Sequence, residues 1–383
     1  MIKLKTIKNL KKIAGKKVLL RADFNVSIKD NKILEDYKII MTLPTIRFLM
    51  RYGARIIIIT HLGSPGGKKN KKYSLAPVAK KLEKLLGQKI KFADDYFSFK
   101  TGNKISSLKN GEILLLENLR FSKEEEKNSS IFAKKLASLV DIYVNEAFSS
   151  SHRKHSSMSA IKKYLPAYAG LQLAQEVKNL SRILKFEKPL VAVVGGAKIK
   201  TKIKLIKKLY KKGAKILIGG GLANNFLKAR NFEVGQSLVD EKSLKLARKF
   251  KDSDILLPVD VITEKGELKS INHVKKNDKI LDIGPDTVRL YANHIKKAKT
   301  IIWNGPMGMF EKEKFKHGSM GIARVIASRS KGRAFGVVGG GETVKVLKMT
   351  KMENDIDWVS TGGGAMLAFL GGEDMPGLEK LLK

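Results

Sequence analysis

Short apolar, β-branched runs alternate with amphipathic stretches along the whole 383-residue chain. Val18–Leu20, Ile56–Ile59, Ile113–Leu116 and Ile142–Val144 read as buried strands, as do Leu190–Val194, Ile216–Ile218, Thr300–Trp303 and Gly336–Val338. Between them, Thr42–Tyr52, Ser74–Leu86, Ile131–Leu139, Lys202–Tyr210 and Glu342–Lys348 carry apolar residues at helical spacing. A strand apolar on consecutive positions is covered on both faces, and helices between such strands are the crossovers that parallel pairing requires. The pattern occurs twice, which predicts an α/β fold of two doubly wound parallel-sheet domains, each a three-layer α/β/α sandwich. Leu171–Lys185 places Leu173, Val177, Leu180 and Leu184 on one helical face, and Phe186-Glu187-Lys188-Pro189 breaks it before the next strand. This predicts an N-terminal domain over residues 1–170, a connecting helix and hinge over 171–188, and a C-terminal domain over 189–370. The tail 371–383 is expected to dock back on the first domain.

Composition sharpens this picture. The chain has no cysteine, which excludes disulfides, thiolate metal sites and a cysteine nucleophile. Its 76 Lys+Arg against 36 Asp+Glu give a formal charge of +40. A charge of that size points first to nucleic acid or an anionic membrane. Only 13 of the cations are arginine, however, and the 63 lysines are spread from Lys3 to Lys383 rather than gathered in one arm. Nucleic-acid footprints cluster and interleave with aromatics, so this reads as a lysine-rich solvated surface that requires no nucleic-acid partner. The basic N-terminus lacks the apolar run of a signal peptide, and no stretch approaches the ~18 apolar residues of a membrane span. A cytoplasmic protein with no membrane partner is expected.

The glycines locate the chemistry. Gly195-Gly196-Ala197-Lys198, Gly219-Gly220-Gly221, Gly339-Gly340-Gly341-Glu342-Thr343 and Gly362-Gly363-Gly364 each follow a strand of the second half and each precede a helix. In open α/β sheets ligands bind at the carboxyl ends of the strands. There, glycine lets backbone N–H groups approach a phosphate, and the helix N-terminus adds partial positive charge. Four such turns on one edge favour a nucleotide or polyphosphate site. No G-x-x-x-x-G-K-[ST] occurs, which excludes a P-loop, and no G-x-G-x-x-G follows the first strand of either half, which disfavours a dinucleotide fold. Lys198 and Lys202, spaced i, i+4, share a helical face and suit terminal phosphates. In the first half the strand ends carry Arg21-Ala22-Asp23-Phe24-Asn25, His61-Leu62-Gly63, Glu117-Asn118-Leu119-Arg120 and Asn145-Glu146-Ala147-Phe148, with His152 and Arg153 just beyond. Arginine here is scarce and suited to two-pronged capture of carboxylate or phosphate, so the set reads as a pocket for a small phosphorylated acid.

These motifs also carry a resemblance. Leu20–Val26, Thr60–Gly63, Leu115–Phe121, Val194–Lys198, Gly219–Ala223, Leu257–Asp260, Trp303–Glu311, Gly339–Thr343 and Ser360–Ala365 resemble the phosphoglycerate kinase family, in order and over essentially the full length. The resemblance implies reversible phosphoryl transfer between ATP and the carboxylate of 3-phosphoglycerate, with magnesium, by a monomer whose domains close to align the substrates. It implies that Asp23, Phe24, Asn25, Lys38, His61, Leu62, Gly63, Ser64, Arg120 and Arg153 line the glycerate site, with Lys38, Arg120, Arg153 and Lys198 serving transfer. On the nucleotide side it implies Gly195, Gly196, Ala197, Lys198, Lys202, Gly220, Gly221, Asn304, Pro306 and Gly339–Thr343, with Glu311 at the ribose and Glu342 at the metal. Four positions depart from the family pattern. Lys38 and Ser64 stand where the family carries arginine, and Glu146 and Glu342 where it carries aspartate. Lysine keeps the charge but loses the planar fork, and Glu342 lengthens the metal-ligand arm by a methylene.

Overall fold

The computed structural model describes residues 2–197, 202–250 and 255–382. The chain forms two compact units, one of residues 1–178 with 374–383, the other of residues 179–373.

The first unit is built from β1 (Lys17–Arg21), β2 (Ile28–Lys29), β3 (Lys32–Ile33), β4 (Arg55–Ile59), β5 (Ile90–Ala93), β6 (Ile113–Leu116), β7 (Ile142–Asn145) and β8 (Ala167–Ala169). Six of these form one parallel sheet in the order β5-β6-β4-β1-β7-β8. Strand β1 lies at its centre, with Val18 level with Ile56 on one side and Ile142 on the other. The central strands are apolar on consecutive residues because helices cover both faces; Leu19, Leu20 and Ile56–Ile59 have no exposed surface. Strands β2 and β3 form a separate hairpin whose turn residues, Asp30 and Asn31, take positive φ as a tight hairpin turn requires. The helix expected from Thr42 begins earlier, at Tyr37, and runs to Arg51 with Pro44 inside it. Glu35 accepts from the Tyr37 N–H at 3.0 Å, and Thr42 Oγ1 donates to the Lys38 carbonyl at 2.9 Å. The earlier start puts Lys38 in the first turn, above the carboxyl end of β1.

The tail Asp374–Lys383 belongs to this unit. Asn145 Nδ2 donates to the Gly377 carbonyl at 2.9 Å, the Lys5 N–H to the Leu381 carbonyl at 2.7 Å, and the buried Lys162 ammonium to the carbonyls of Pro376 and Glu379.

The second unit contains β9 (Leu190–Val194), β10 (Lys215–Ile218), β11 (Ile255–Leu256), β12 (Asp260–Thr263), β13 (Leu268–Ser270), β14 (Ile280–Ile283), β15 (Thr300–Asn304), β16 (Phe335–Gly339) and β17 (Trp358–Ser360). Its six-stranded parallel sheet has the order β11-β10-β9-β15-β16-β17. The chain therefore winds outward from β9 in one direction and then from β15 in the other, which opens a crevice between those two strands. Dinucleotide-binding sheets use the same order, so the missing G-x-G-x-x-G bears on the ligand site and not on the sheet. Trp303, without exposed surface, packs among Val191, Val193, Ile301 and Ile322, and its indole N–H donates to the Gly305 carbonyl at 2.9 Å. A second, three-stranded antiparallel sheet, β13-β12-β14, was not expected from the sequence. Its strands are short and mix exposed with buried positions, so they lack the continuous apolar signal of the parallel strands.

The division between the units falls within the helix Leu171–Leu184. The N-terminus of that helix is held by Glu146, at the end of β7. Its carboxylate accepts from the N–H groups of Gln172 (3.1 Å) and Leu173 (3.0 Å) and from the Thr45 hydroxyl. A Cβ on Gly170 would lie 2.0 Å from Glu146 Oε2, so the longer glutamate arm fits only beside glycine. Burial, with Glu176 nearby, outweighs those donors and pushes the Glu146 carboxyl up to about 7 from an ordinary 4.5. Folding thus takes up a proton at Glu146. The resulting stability is complete below about pH 4.5 and is lost as pH rises through about 7. At ~1.4 kcal/mol per unit, the loss comes to about 3 kcal/mol. Urea unfolding near pH 5 and near pH 8 should show this fall, and Glu146→Gln should reduce it by that amount; an unchanged pH profile in the variant would assign the dependence elsewhere.

Candidate active site

The carboxyl ends of β1, β4, β6 and β7 gather most of the first-half residues singled out above. Asp23 is buried just past β1, and its Oδ2 lies 2.8 Å from Lys38 Nζ and accepts from the Ser149 hydroxyl. Burial alone would raise this carboxyl, but the charge of Lys38 and the hydrogen bonds from Lys38 and Ser149 hold it well below the usual carboxylate range. Asp23 Oδ1 accepts from the Asn25 N–H at 3.1 Å, and Asn25 Oδ1 accepts from the Gly63 N–H at 2.9 Å, so one short chain of bonds ties the β1 loop to the β4 loop. Arg120, buried after β6, donates from Nη1 to the Gly63 carbonyl (2.7 Å) and to Ser64 Oγ (3.3 Å), while Nε lies 3.1 Å from Glu126. His61 is buried beside Arg21, with Arg21 Nη2 3.2 Å from His61 Nδ1. Burial, then Arg21, Arg120 and Lys38, hold this imidazole well below its ordinary value, so it is neutral.

Three expected residues stand apart from this cluster. Phe24 and Leu62 belong to the hydrophobic core, so what they present to the site is backbone. Arg153 is exposed, though close enough for its charge to depress that of Arg120. Arg21, expected at the strand end as part of the pocket, is buried at the end of β1, and the residues not anticipated are Ser149, Ser157 and Glu125. These three carried no signal in the sequence.

In the second unit a cavity of about 370 Å³ opens at the β9/β15 crevice. Gly196, Ala197, Gly220, Gly221, Pro306, Glu311 and Glu342 line one side. Gly220 takes φ +60°, and a Cβ there would sit 2.6 Å from the Gly196 nitrogen, so only glycine lets the two turns approach each other. The helices Gly220–Ala229 and Gly341–Met349 both begin here and point their N-termini at the site. The rest of the lining is mostly apolar: Leu227, Leu238, Val261, Leu281, Ile283, Met307 and Met309. Much of it comes from the antiparallel sheet. Asp282, also lining, accepts from the N–H groups of Ile283 (2.9 Å) and Gly318 (2.8 Å), and burial pushes it up to about 7.

Asn304, Thr343 and Lys202 brace this cavity. Asn304 donates to the Gly339 carbonyl at 2.7 Å, and Thr343 Oγ1 accepts from the Gly305 N–H at 2.7 Å, which ties β15 to the Gly340-Gly341 turn. Lys202 is buried, with its ammonium on the Gly195 carbonyl. Lys198 lies outside the described residues. Glu342 is exposed at the rim, and its carboxylate has no hydrogen bond or ion pair among the described residues. No group of three or more metal-ligating side chains occurs among the described residues. A divalent cation here would take one carboxylate from the protein and the rest of its oxygen ligands from phosphate and water, the arrangement magnesium prefers. Among the described residues no helix is long and apolar enough to cross a membrane.

A basic cluster shaped for a small anionic acid on one doubly wound sheet, and a glycine-turned cavity with an apolar wall on the other, define a phosphotransferase of the α/β class. The comparisons with known proteins agree. The family model described as phosphoglycerate kinase matches residues 7–373. A phosphoglycerate kinase of Moorella thermoacetica is 42% identical over 390 positions, covering 98% of each chain, and one of Borrelia turicatae is 42% identical, covering 99% of this chain and 100% of its own. Among solved structures, phosphoglycerate kinase from Coxiella burnetii matches with TM-score 0.85 and 38% identity over 99% of each chain. That from Pyrococcus horikoshii OT3 matches with TM-score 0.88 and 33% identity over 99% of this chain and 98% of its own. The chain belongs to the phosphoglycerate kinase family.

Proposed function

We propose that this chain catalyses reversible phosphoryl transfer between ATP and the carboxylate of 3-phosphoglycerate, with the acid on the first unit and the nucleotide on the second. The observation that supports it best is the division of chemistry. Each parallel sheet presents one half-site at its carboxyl edge, one basic and one turned by glycines. Arg120, Arg153 and the neutral His61 would bind the glycerate and its phosphate, with Asp23 and Asn25 fixing the loops that carry them. Lys38 would stand at the transferring phosphoryl. In the cavity the apolar wall would take the base, Glu311 the ribose hydroxyls, and Lys198, Lys202 and the two helix N-termini the phosphates. Magnesium would be held by Glu342 and would neutralise phosphate charge. Phosphoryl transfer asks for little covalent chemistry from the protein, so positioning and charge stabilisation carry the rate. Transfer in line requires both substrates held together away from water, which closure of the units would supply. On this reading the protein works as a cytoplasmic monomer. A coupled assay with ATP, Mg²⁺ and 3-phosphoglycerate tests it directly. Turnover dependent on all three is expected, and binding of nucleotide without turnover would overturn it.

Ser64 is exposed and touches Arg120, where the family carries a further arginine. Ser64→Arg should add one charge-assisted hydrogen bond to the substrate phosphate and lower KM for 3-phosphoglycerate about tenfold, or ~1.4 kcal/mol. An unchanged KM would show that position 64 lies away from the phosphate.

A further inference from the structure

We propose that Glu125 is a positioning residue for His61: acting through Ser157 and Arg21, it fixes the imidazole with its single proton on Nε2 and so makes His61 a standing hydrogen-bond donor to an anionic substrate. This rests on the functional reading above for the identity of the anion, though not for the geometry.

The chain of contacts is short and directional. Glu125 has no exposed surface and lies in the helical turn Lys123–Glu126 that follows Arg120. Both its oxygens act as acceptors, Oε2 from the Ser157 N–H at 3.0 Å and Oε1 from the Ser157 hydroxyl at 2.6 Å. Because that hydroxyl gives its proton to the carboxylate, its oxygen turns a lone pair to Arg21, whose Nε donates to it at 2.9 Å. Arg21 is 1% exposed and has no carboxylate within ion-pair distance among the described residues, so Glu125 supplies its negative counterpart through the serine. The far edge of the guanidinium is held by the Ala22 carbonyl, which accepts from Nη1 at 2.5 Å. Thus braced, Nη2 faces His61 Nδ1 at 3.2 Å. A guanidinium offers only donors, so Nδ1 must accept and the ring proton must sit on Nε2.

The charges around both ends favour this state. Arg21, Arg120 and Lys38 face His61 and oppose a second proton, with Asp23 as the countervailing anion. Arg21, Arg120, Tyr96, Tyr143 and His155 face Glu125, the last at 3.9 Å; burial raises its carboxyl and Arg21 pulls it back. Without the Glu125–Ser157 brace, Arg21 would be free to rotate its edge away from Nδ1. The ring could then present Nδ1–H or Nε2–H, and half of that population would turn a lone pair towards an anion.

The test is ¹⁵N NMR of the histidine rings in the full chain, with His61 assigned by the signal lost in His61→Gln. The wild type should show a neutral His61 protonated on Nε2 that does not titrate between about pH 5.5 and 8. Ser157→Ala and Glu125→Gln should each give a mixed tautomer pattern and about a twofold rise in KM for 3-phosphoglycerate, as a half-populated binding tautomer requires, with kcat nearly unchanged. Ser157→Thr, which keeps the hydroxyl, should retain the wild-type pattern. A wild-type His61 carrying its proton on Nδ1, or titrating in that range, overturns the proposal even if the variants do not fold. So does a wild-type pattern that persists in folded Ser157→Ala. If the predicted tautomer is found but 3-phosphoglycerate does not bind, the functional reading fails while the positioning role stands.

Discussion

Lys38→Ala should lower kcat about 10²- to 10³-fold, the usual cost of removing one preorganised charge from a developing transition state. Lys38 is carried by the first turn of the helix Tyr37–Arg51, and in the structure its ammonium lies 2.8 Å from Asp23. That pairing holds the cation over the carboxyl end of β1, where the acyl group of the acid would sit. Removing it has two consequences: the reacting phosphoryl loses a cation, and the buried Asp23 carboxylate loses the partner that keeps it ionised. KM for 3-phosphoglycerate should therefore rise as well, but less than kcat falls. Lys38→Arg should recover the rate, because the guanidinium keeps the charge and adds a planar two-pronged contact. Steady-state kinetics of the three proteins decide the matter; a Lys38→Ala turnover within about threefold of the parent would remove Lys38 from the transfer step.

Gly195→Ala should damage the nucleotide half severely. A Cβ at Gly195 would lie 2.1 Å from the Pro306 carbonyl oxygen and 2.8 Å from that of Gly305. Both are backbone atoms on the loop after β15, and the Gly196 N–H already donates to the same Pro306 carbonyl at 2.7 Å. Relief requires the carboxyl ends of β9 and β15 to move apart at the crevice where the cavity opens. Overpacking of this kind costs ~1–3 kcal/mol or more. The expected result is a lower Tm and at least a tenfold weaker ATP affinity by calorimetry. Gly102→Ala is the control: it lies in the helix Phe99–Ser106 with nothing within 4 Å of the new methyl. That change should leave ATP binding alone and add ~0.5–1 kcal/mol of stability through helix propensity. Equal effects from the two substitutions would show that crowding at the β9–β15 junction is not what shapes the site.

What the sequence determined by itself is the parallel framework and the edge that carries the chemistry. Strands covered on both faces must be apolar at every position, so Leu190–Val194 and Ile56–Ile59 announce themselves without any partner in view. Glycines directly after such strands mark turns where backbone comes close to backbone or to a ligand, and these need no knowledge of the neighbour either. Tertiary structure alone decided the rest, because the remaining features depend on which distant residue arrives beside a given one. Leu281 and Val261 became the apolar wall of a cavity only because an antiparallel sheet, too short and mixed to leave a period, folds over the crevice. Asn304 and Thr343, placed by the family resemblance at the nucleotide, also brace its turn, which no spacing in the sequence announced. Arg21 could be read as an odd charge in a strand, but not that Ser157 and Glu125, more than a hundred residues further on, would orient it. Glu146 shows the same limit: one extra methylene is invisible as a hazard in the sequence, and it is tolerated because Gly170 leaves room and the start of a helix supplies the N–H groups. Periodicity reports how much of a side chain is covered, whereas the protonation and direction of a buried polar group depend on the particular atoms that cover it.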